Sequence, residues 1–372
     1  MTAAAGGFRA LRVVARRAES SSICSFLLQP VQPQHWQAFE AGQYLSFRLP
    51  GTDASTGPLL RHYSVSSSPL EAGCYRISVK HEAGRPPELP EGLGSGWLHG
   101  QVQVGDTLQA SGPHGVFRLD RHSDRPVLLL SAGVGLTPMV SMLHVLAASS
   151  RRPTWFLHAC DHGGVHAFRD EVQRLAAQRD GIQVVTCYRW PSADDRAAGR
   201  CQAEGLIDRA HLQRWLPLDN YEVYLCGPPP FMQAQFALLR SLGVPRERIA
   251  HEFFGPASLL VEPGAASPAV RAAPPVAPVP PEALPPAGMV RVRFSASGRV
   301  ADWQLQDGSL LATAERCGLT PPFSCRAGVC GSCECDLVEG EVDYFEEPLD
   351  PPGPGRVLPC CARPRGDVTL AL

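Results

Sequence analysis

The sequence predicts a multi-domain chain: an antiparallel β-barrel, then an α/β domain with a parallel sheet, then a small C-terminal unit of β-grasp type. Three observations carry this reading. Residues 8–121 hold short alternating apolar runs broken by Gly and Pro, the pattern of half-buried antiparallel strands. Residues 122–258 alternate continuous apolar strands with helical stretches, the pattern of a parallel sheet covered on both faces. Residues 259–288 are dominated by Pro and Ala, which cannot pack a core and favour an extended linker, so residues 289–372 form a separate module. A length of 372 residues is enough for two or three such cores.

In the first domain, Phe8–Ala15 turns into Ile23–Leu28 as an opening hairpin, followed by strands at Tyr44–Leu49, Arg61–Val65, Tyr75–Lys80 and Thr107–Ala110. In the second, buried strands at Val127–Ser131, Thr154–Ala159, Gln183–Cys187 and Glu222–Cys226 alternate with helices at Met139–Ala148, Phe168–Gln178, Arg209–Trp215 and Phe231–Leu242. In the third, Val290–Phe294 and Val300–Gln304 form a hairpin, Ser309–Arg316 a short helix, Glu334–Glu339 a strand, and Val368–Leu372 closes the sheet.

Composition narrows the class. A net charge of -2 offers no basic surface for nucleic acid. The longest apolar stretches, Val127–Leu130 and Met139–Ala148, are too short to span a bilayer. The arginines and scarce acids of Met1–Arg17 suit a mitochondrial presequence, but the strand–turn–strand pattern beginning at Phe8 reads as part of the fold. The thirteen cysteines are odd in number and spread along a long chain, so they do not read as a disulfide framework. Reduced thiols fit a cytoplasmic location.

Four of those cysteines carry the clearest chemistry. Cys325-x4-Cys330-x2-Cys333, with Cys360 far downstream, has the spacing of plant-type [2Fe–2S] ligands. Gly328 and Gly331 let the loop fold close and aim amides at the sulfurs. The alternative is structural zinc, which more often uses two CxxC pairs. Cys335 and Cys361 read as bystanders, and Cys24, Cys74, Cys187 and Cys201 as ordinary thiols. Such a cluster carries single electrons, so another part of the chain must supply them.

Arg61-His62-Tyr63-Ser64 ends a barrel strand: Arg offers a fork for phosphate, Tyr a flat ring and Ser a hydrogen bond to a ring nitrogen. Gly92-Leu-Gly94-Ser95 then opens a helix whose N-terminus suits a pyrophosphate. The ordered pair points to a flavin. Ser131-Ala-Gly133-Val-Gly135-Leu-Thr137-Pro138 joins a buried strand to a helix. Its glycines admit a dinucleotide's backbone, Thr137 offers a donor, and Pro138 sits early in the helix. Cys226-Gly227-Pro228 ends a strand beside the expected ligand crevice. Asp161 and His162 follow the second strand, and an acid there favours NADH over NADPH. His158, His162 and His166 are spaced by four but span a strand end and a loop, so they do not read as one metal-binding face.

In this order the motifs resemble the ferredoxin–NADP reductase superfamily with a C-terminal ferredoxin module, as in reductase components of oxygenases and demethylases. The first 258 residues are also similar to the reductase half of flavohemoglobins, through His158-Ala-Cys-Asp161, His166-Ala-Phe-Arg-Asp-Glu171, Tyr224-Leu-Cys-Gly-Pro228 and Glu252-Phe-Phe-Gly-Pro256. The resemblance implies an FAD-binding β-barrel domain at 8–121, an NAD(P)-binding α/β domain at 122–258 and a [2Fe-2S] ferredoxin domain at 289–372.

It implies that Arg61, His62, Tyr63, Ser64, Gly94 and Ser95 hold the flavin, as FAD rather than FMN. Gly133, Gly135, Thr137, Pro138, Gly227 and Pro228 would meet the nucleotide. Ser64, Cys226 and Glu252 would line the reacting centre, with Phe254 flanking the flavin. Cys325, Cys330, Cys333 and Cys360 would bind the cluster. The chain departs from many relatives at Ala132, where a further Gly is common, and in the insert Arg85–Glu91, which lengthens the loop before Ser95. The implied activity is electron transfer from NAD(P)H through flavin and cluster to a partner, a terminal oxygenase or hydroxylase. Alternatives are a reductase for nitrogen-oxide or hybrid-cluster chemistry and a zinc-stabilised nucleotide-binding sensor.

Overall fold

The computed structural model describes residues 8–50, 59–84, 92–254, 290–303, 307–319, 321, 323, 328, 331, 333–345, 348 and 351–372. The linker expected at 259–288, the insert Arg85–Glu91, and Cys325 and Cys330 lie outside these residues. The chain divides into two compact units, Met1–Phe254 and Gly255–Leu372.

The first unit opens with β1 (Arg9–Ala18), β2 (Ile23–Pro30), β3 (Tyr44–Leu49), β4 (Leu59–Ser64), β5 (Tyr75–Lys80), α1 (Leu93–Gln101) and β6 (Thr107–His114). The strands form one antiparallel sheet in the order β4-β3-β6-β1-β2-β5. Val65, just beyond β4, bridges to Ile77 of β5 and brings the two edges of the sheet together. Alternation puts Leu11, Val13, Phe26, Leu28, Leu45, Phe47 and Ile77 inside with essentially no exposed surface. Each such side chain stabilises the fold by roughly 1.5–3 kcal/mol.

The chain then alternates: β7 (Val127–Ala132), α2 (Leu136–Ser149), β8 (Thr154–Cys160), α3 (Arg169–Ala176), β9 (Ile182–Tyr188), α4 (Ala193–Ala197), β10 (Ala203–Glu204), α5 (Arg209–Trp215), β11 (Glu222–Cys226), α6 (Pro229–Ser241) and β12 (Ile249–Glu252). The sheet is parallel throughout, in the order β10-β9-β8-β7-β11-β12. The chain runs outward from β7 to β10, then returns to place β11 on the other side of β7. The order therefore reverses at β7 and β11, and ligands of such sheets bind beyond the strand ends at that point. Two short strands, β10 and β12, add to the four read from the sequence. Neither carries an apolar run long enough to announce a strand.

Barrel and parallel sheet share a core: Ala41, Phe117 and Leu119 pack in the same cluster as Leu129, Met139, Met142 and Leu143. A polar seam reinforces it. Arg76 of β5 makes a two-pronged contact with Glu171 of α3 at 2.7 and 2.8 Å, and His144 of α2 binds the same carboxylate at 2.8 Å. The Arg76 guanidinium lies 4.6 Å from the centre of the Phe168 ring. Phe168 has a positive φ of 58°, which turns the chain sharply into α3. Ser141 donates to the Ser67 carbonyl at 2.9 Å, and the Asp120 amide to the Tyr224 hydroxyl at 2.8 Å.

The second unit contains β13 (Arg291–Phe294), β14 (Arg299–Asp302), α7 (Leu310–Arg316), β15 (Cys335–Glu339), β16 (Val342–Tyr344), β17 (Arg356–Val357), β18 (Ala362–Pro364) and β19 (Val368–Leu370). Its main sheet has the order β14-β13-β19-β15-β17, with β13 and β19 parallel and the other pairs antiparallel. Helix α7, capped by the Ser309 side chain, packs Leu310 and Ala314 into the core with Val292, Phe294 and Leu370. This is the β-grasp arrangement. Among the described residues, no helix is long and apolar enough to cross a membrane.

Burial would raise Glu171, but the hydrogen bonds from His144 and Arg76 outweigh it and hold the carboxyl down at about 2. A depressed carboxylate stabilises the fold fully above its unfolded value near 4.5, and that contribution disappears as pH falls toward 2. Arg76→Met leaves the carboxylate half-buried without its partner and is expected to lower stability by about 3 kcal/mol. Glu171→Gln is expected to flatten the acid limb between those two pH values. Urea unfolding as a function of pH checks both.

Candidate active site and cluster loop

Strand β4 presents Arg61, His62, Tyr63 and Ser64 in sequence, and α1 lies against it. A Cβ on Gly94 would sit 2.9 Å from the Arg61 side chain, so only glycine lets the first turn of α1 come this close. The two motifs that point to a flavin are therefore in contact, with an arginine against the N-terminal turn of a helix. That is a cationic cradle of the kind a pyrophosphate needs. The residues present fit an FAD phosphate.

Other side chains of these motifs serve the scaffold. Ser95 donates to the Gly92 carbonyl at 3.0 Å and accepts from the Glu82 amide at 3.2 Å, closing the turn that starts α1. His62 shares a 2.8 Å hydrogen bond with Ser46, its register partner on β3. Tyr63 is half-buried against the barrel core, its ring centre 5.8 Å from that of Phe47, and burial raises its hydroxyl pKa.

Beyond the end of β7, Gly133 takes a positive φ of 54° and opens a single 3-10 turn that feeds α2. Gly135 answers a different need. A Cβ there would lie 2.4 Å from the Cys226 carbonyl oxygen and 2.7 Å from the Gly227 nitrogen, so the turn rests directly on the end of β11. Thr137 and Pro138 are buried, and the Thr137 hydroxyl donates to the Val134 carbonyl at 3.0 Å, where it shapes the turn. Pro228 caps α6 and two further prolines occupy its first positions, where a missing amide costs nothing. The helix accordingly starts at Pro229, before the first residue of the apolar pattern.

The parallel sheet and the barrel meet at Glu252 and Ser64. Glu252, half-buried at the end of β12, is the register partner of Cys226 on β11. Ser64, at the end of β4, donates to Glu252 Oε2 at 3.4 Å. Burial pushes the Glu252 carboxyl up to about 8, with the Ser64 hydrogen bond opposing it. At neutral pH the group is a protonated acid that can donate. Cys226 is fully buried, and burial followed by the nearby Glu252 raises its thiol well above the ordinary range. It is buried as an uncharged thiol. Phe254 packs its ring partly into the shared core.

In the second unit, Cys333 and Cys360 are buried with Leu311, Phe323, Leu358 and Cys361. The Gly328 amide donates to Cys360 Sγ at 3.4 Å. Gly328 has a positive φ of 65°, and a Cβ there would lie 2.7 Å from Cys361 Sγ. An amide aimed at a buried sulfur is what an iron–sulfur ligand requires, and the described donors fit a [2Fe–2S] cluster.

The structure thus joins Arg61 with Gly94, Gly135 with Cys226 and Gly227, and Ser64 with Glu252. Sequence reasoning missed Asp195, the Arg76–Glu171–His144 seam, and the packing of His158 against His166. Those two rings stand 4.9 Å apart, bonded to Ser131 at 3.0 Å and Tyr188 at 2.9 Å respectively. Burial lowers both, His166 to about 4, so they are neutral core groups. Arg76 and Glu171 are distant in sequence, as are Gly163 and Asp195, so no local pattern marks those contacts.

Comparison with known proteins agrees with this geometry. Residues 10–119 match the oxidoreductase FAD-binding domain, 129–236 the oxidoreductase NAD-binding domain, and 297–365 the 2Fe-2S iron-sulfur cluster binding domain. The flavohemoprotein of Bordetella pertussis is 43% identical over 250 residues, 67% of this chain and 61% of that protein. The flavohemoprotein of Pseudomonas aeruginosa is 43% identical over 255 residues, 68% of this chain and 61% of that one. The chain thus spans about three fifths of the length of these curated relatives.

Among solved structures, the flavohem-like FAD/NAD-binding domain of nitric oxide dioxygenase from Vibrio cholerae is 36% identical with a TM-score of 0.60, over 67% of this chain and 100% of that one. Phthalate dioxygenase reductase is similar over 98% of both chains, with a TM-score of 0.55. At 24% identity this is a likeness of fold. Fold, site and domain matches define an NAD(P)H-dependent flavin and iron–sulfur oxidoreductase with FAD and [2Fe–2S] as its cofactors. The chain belongs to the ferredoxin–NADP reductase superfamily, with a C-terminal plant-type ferredoxin domain. The cluster domain sets aside the zinc alternative.

If the flavin lies against Glu252, an ionised carboxylate would place a negative charge beside the electron-rich reduced ring and oppose its reduction. The rate of flavin reduction by NADH is expected to fall as pH rises through about 8. Glu252→Gln, neutral at every pH, is expected to remove that inflection. Stopped-flow reduction across the pH range checks this.

Proposed function

We propose that this reductase takes electrons from NADH and delivers them, through FAD and a [2Fe–2S] cluster on Cys325, Cys330, Cys333 and Cys360, to a separate terminal oxygenase or hydroxylase component in the cytoplasm. The observation that carries the reading is the presence of a reductase half and a cluster domain on one chain. When bound, the flavin would supply the step from two-electron to one-electron chemistry, taking one hydride from the nicotinamide and passing its two electrons on singly.

The chain's own residues bind, orient and hold a proton. Arg61 and the N-terminus of α1 take the flavin pyrophosphate, Tyr63 faces its ring, and Ser64 with Glu252 holds a proton beside it. The Gly133–Gly135 turn receives the nucleotide, and Gly227 packs closely against Phe231 and Ala132 beside it. Asp161 favours a free ribose hydroxyl, hence NADH. A second reading, a reductase for nitrogen-oxide chemistry, is favoured by the 43% identity to flavohemoproteins. It predicts that nitric oxide or hydroxylamine accelerates NADH oxidation above the rate with oxygen alone.

Anaerobic titration with NADH, followed by absorbance and low-temperature EPR, tests the route. Bleaching of flavin and cluster with a rhombic one-electron signal is the expected result. Flavin bleaching without that signal would take the cluster out of the path. Cys330→Ser is expected to abolish the signal while leaving NADH-to-ferricyanide activity within about twofold, because flavin reduction needs no cluster. Loss of both activities would defeat the modular reading.

A further inference from the structure

One buried carboxylate in the parallel-sheet domain has no part in the chemistry above. Asp195, in the first turn of α4, has a side chain only 2% exposed. It accepts from the Gly163 amide at 3.1 Å, from the Ser192 amide at 3.0 Å and from Arg200 at 3.1 Å. The Ser192 and Gly163 amides hold its carboxyl well below the usual range, so it is ionised throughout. A Cβ on Gly163 would lie 2.1 Å from Asp195 Oδ1, so the contact is possible only with glycine at that position.

The turn that Asp195 grips, Asp161–Gly164, follows β8. The Trp190 amide donates to the Asp161 carbonyl at 2.8 Å, and the Arg189 amide to the Cys160 carbonyl at 2.9 Å. From the barrel side, the Ser21 amide donates to the Gly164 carbonyl at 3.0 Å. The turn is therefore clamped between the segment after β9 and the β1–β2 hairpin. Its free face presents exposed Asp161 and His162 at the carboxyl end of the strand next to β7. In sheets of this topology an acid at that place meets the ribose hydroxyls of a dinucleotide's adenosine half.

We propose that Asp195 is a positioning residue for the nucleotide: it fixes the Asp161–Gly164 turn so that Asp161 meets the adenosine ribose. The proposal rests on the nucleotide-binding reading of this crevice. Without Asp195, the Gly163 amide and Arg200 lose their shared acceptor and the turn loses its anchor from α4. The nicotinamide half, at the Gly133–Gly135 turn on β7 and β11, lies beyond the reach of this change.

The test compares NADH with reduced nicotinamide mononucleotide, which lacks the adenosine half, in the full-length holoprotein with ferricyanide as acceptor. For Asp195→Asn and Asp195→Ala, the ratio of kcat/KM for NADH to that for the mononucleotide is expected to fall about tenfold, the size of one lost charge-assisted hydrogen bond, through KM for NADH. Gly163→Ala, which disturbs the same contact from the other side, is expected to lower the ratio in the same direction. A partly unfolded preparation scales both substrates alike and leaves the ratio intact, so an unchanged ratio in all three variants overturns the proposal. Failure of the unaltered protein to reduce its flavin with NADH would instead defeat the nucleotide reading itself.

Discussion

Everything in the reductase half depends on holding two differently built layers in register. Ser64 belongs to an antiparallel strand and Glu252 to a parallel one, yet their side chains meet at 3.4 Å. That meeting is set by the seam where Arg76 grips Glu171 and by the shared core around Met142 and Phe117. A two-pronged arginine–carboxylate contact fixes orientation as well as distance, which a purely apolar seam would leave free to slide. Rigid placement matters because redox chemistry between a nicotinamide and a flavin ring tolerates little misalignment.

Glu171 and Glu252 show how environment assigns opposite tasks to one residue type. Both suffer burial. Glu171 gains an arginine and a histidine, and its carboxyl settles at about 2. Glu252 gains a single hydroxyl, too little to offset burial, and rises to about 8. The first is an anion that joins the two layers, and the second an acid poised near neutrality where β12 meets β4. Cys226, the register partner of Glu252, is likewise kept uncharged by burial.

The sequence announces what is local. Alternation and apolar runs mark the main strands, and glycines mark the tight turn between β7 and α2, because a tight turn must be encoded at the turn itself. Short strands such as β10 and β12 are created by neighbours and leave no periodic trace. Partnerships across the fold are equally silent. Gly94 reads as part of a helix opening, but the sequence does not show Arg61 packed behind it, and Asp195 looks like a solvated helix acid until Gly163 and Arg200 close on it. Even within legible motifs the division of labour is hidden. Thr137, Ser95 and His62 spend their side-chain polar groups on the turns and strands around them, while Gly135 packs on the end of β11 and Gly94 makes room for Arg61.

The adjacent pair Cys360 and Cys361 makes the same point in the ferredoxin unit. Spacing alone separates them by a single residue, a thin basis for choosing a ligand. Their hydrogen bonds differ in kind. Cys360 Sγ accepts from the Gly328 amide, the role of a thiolate, whereas Cys361 Sγ donates to the Leu358 carbonyl at 3.5 Å, the role of a protonated thiol. Cys361 also fills the space beneath Gly328, where a Cβ would collide with its sulfur. A side chain on Gly328 would push the amide away from Cys360, so the bystander thiol and the glycine together keep an N–H directed at the proposed ligand. Amide hydrogen bonds to cluster sulfurs stabilise the reduced, more negative state and raise the potential, so with Cys360 as the ligand, Cys361 would act on the cluster through the placing of Gly328.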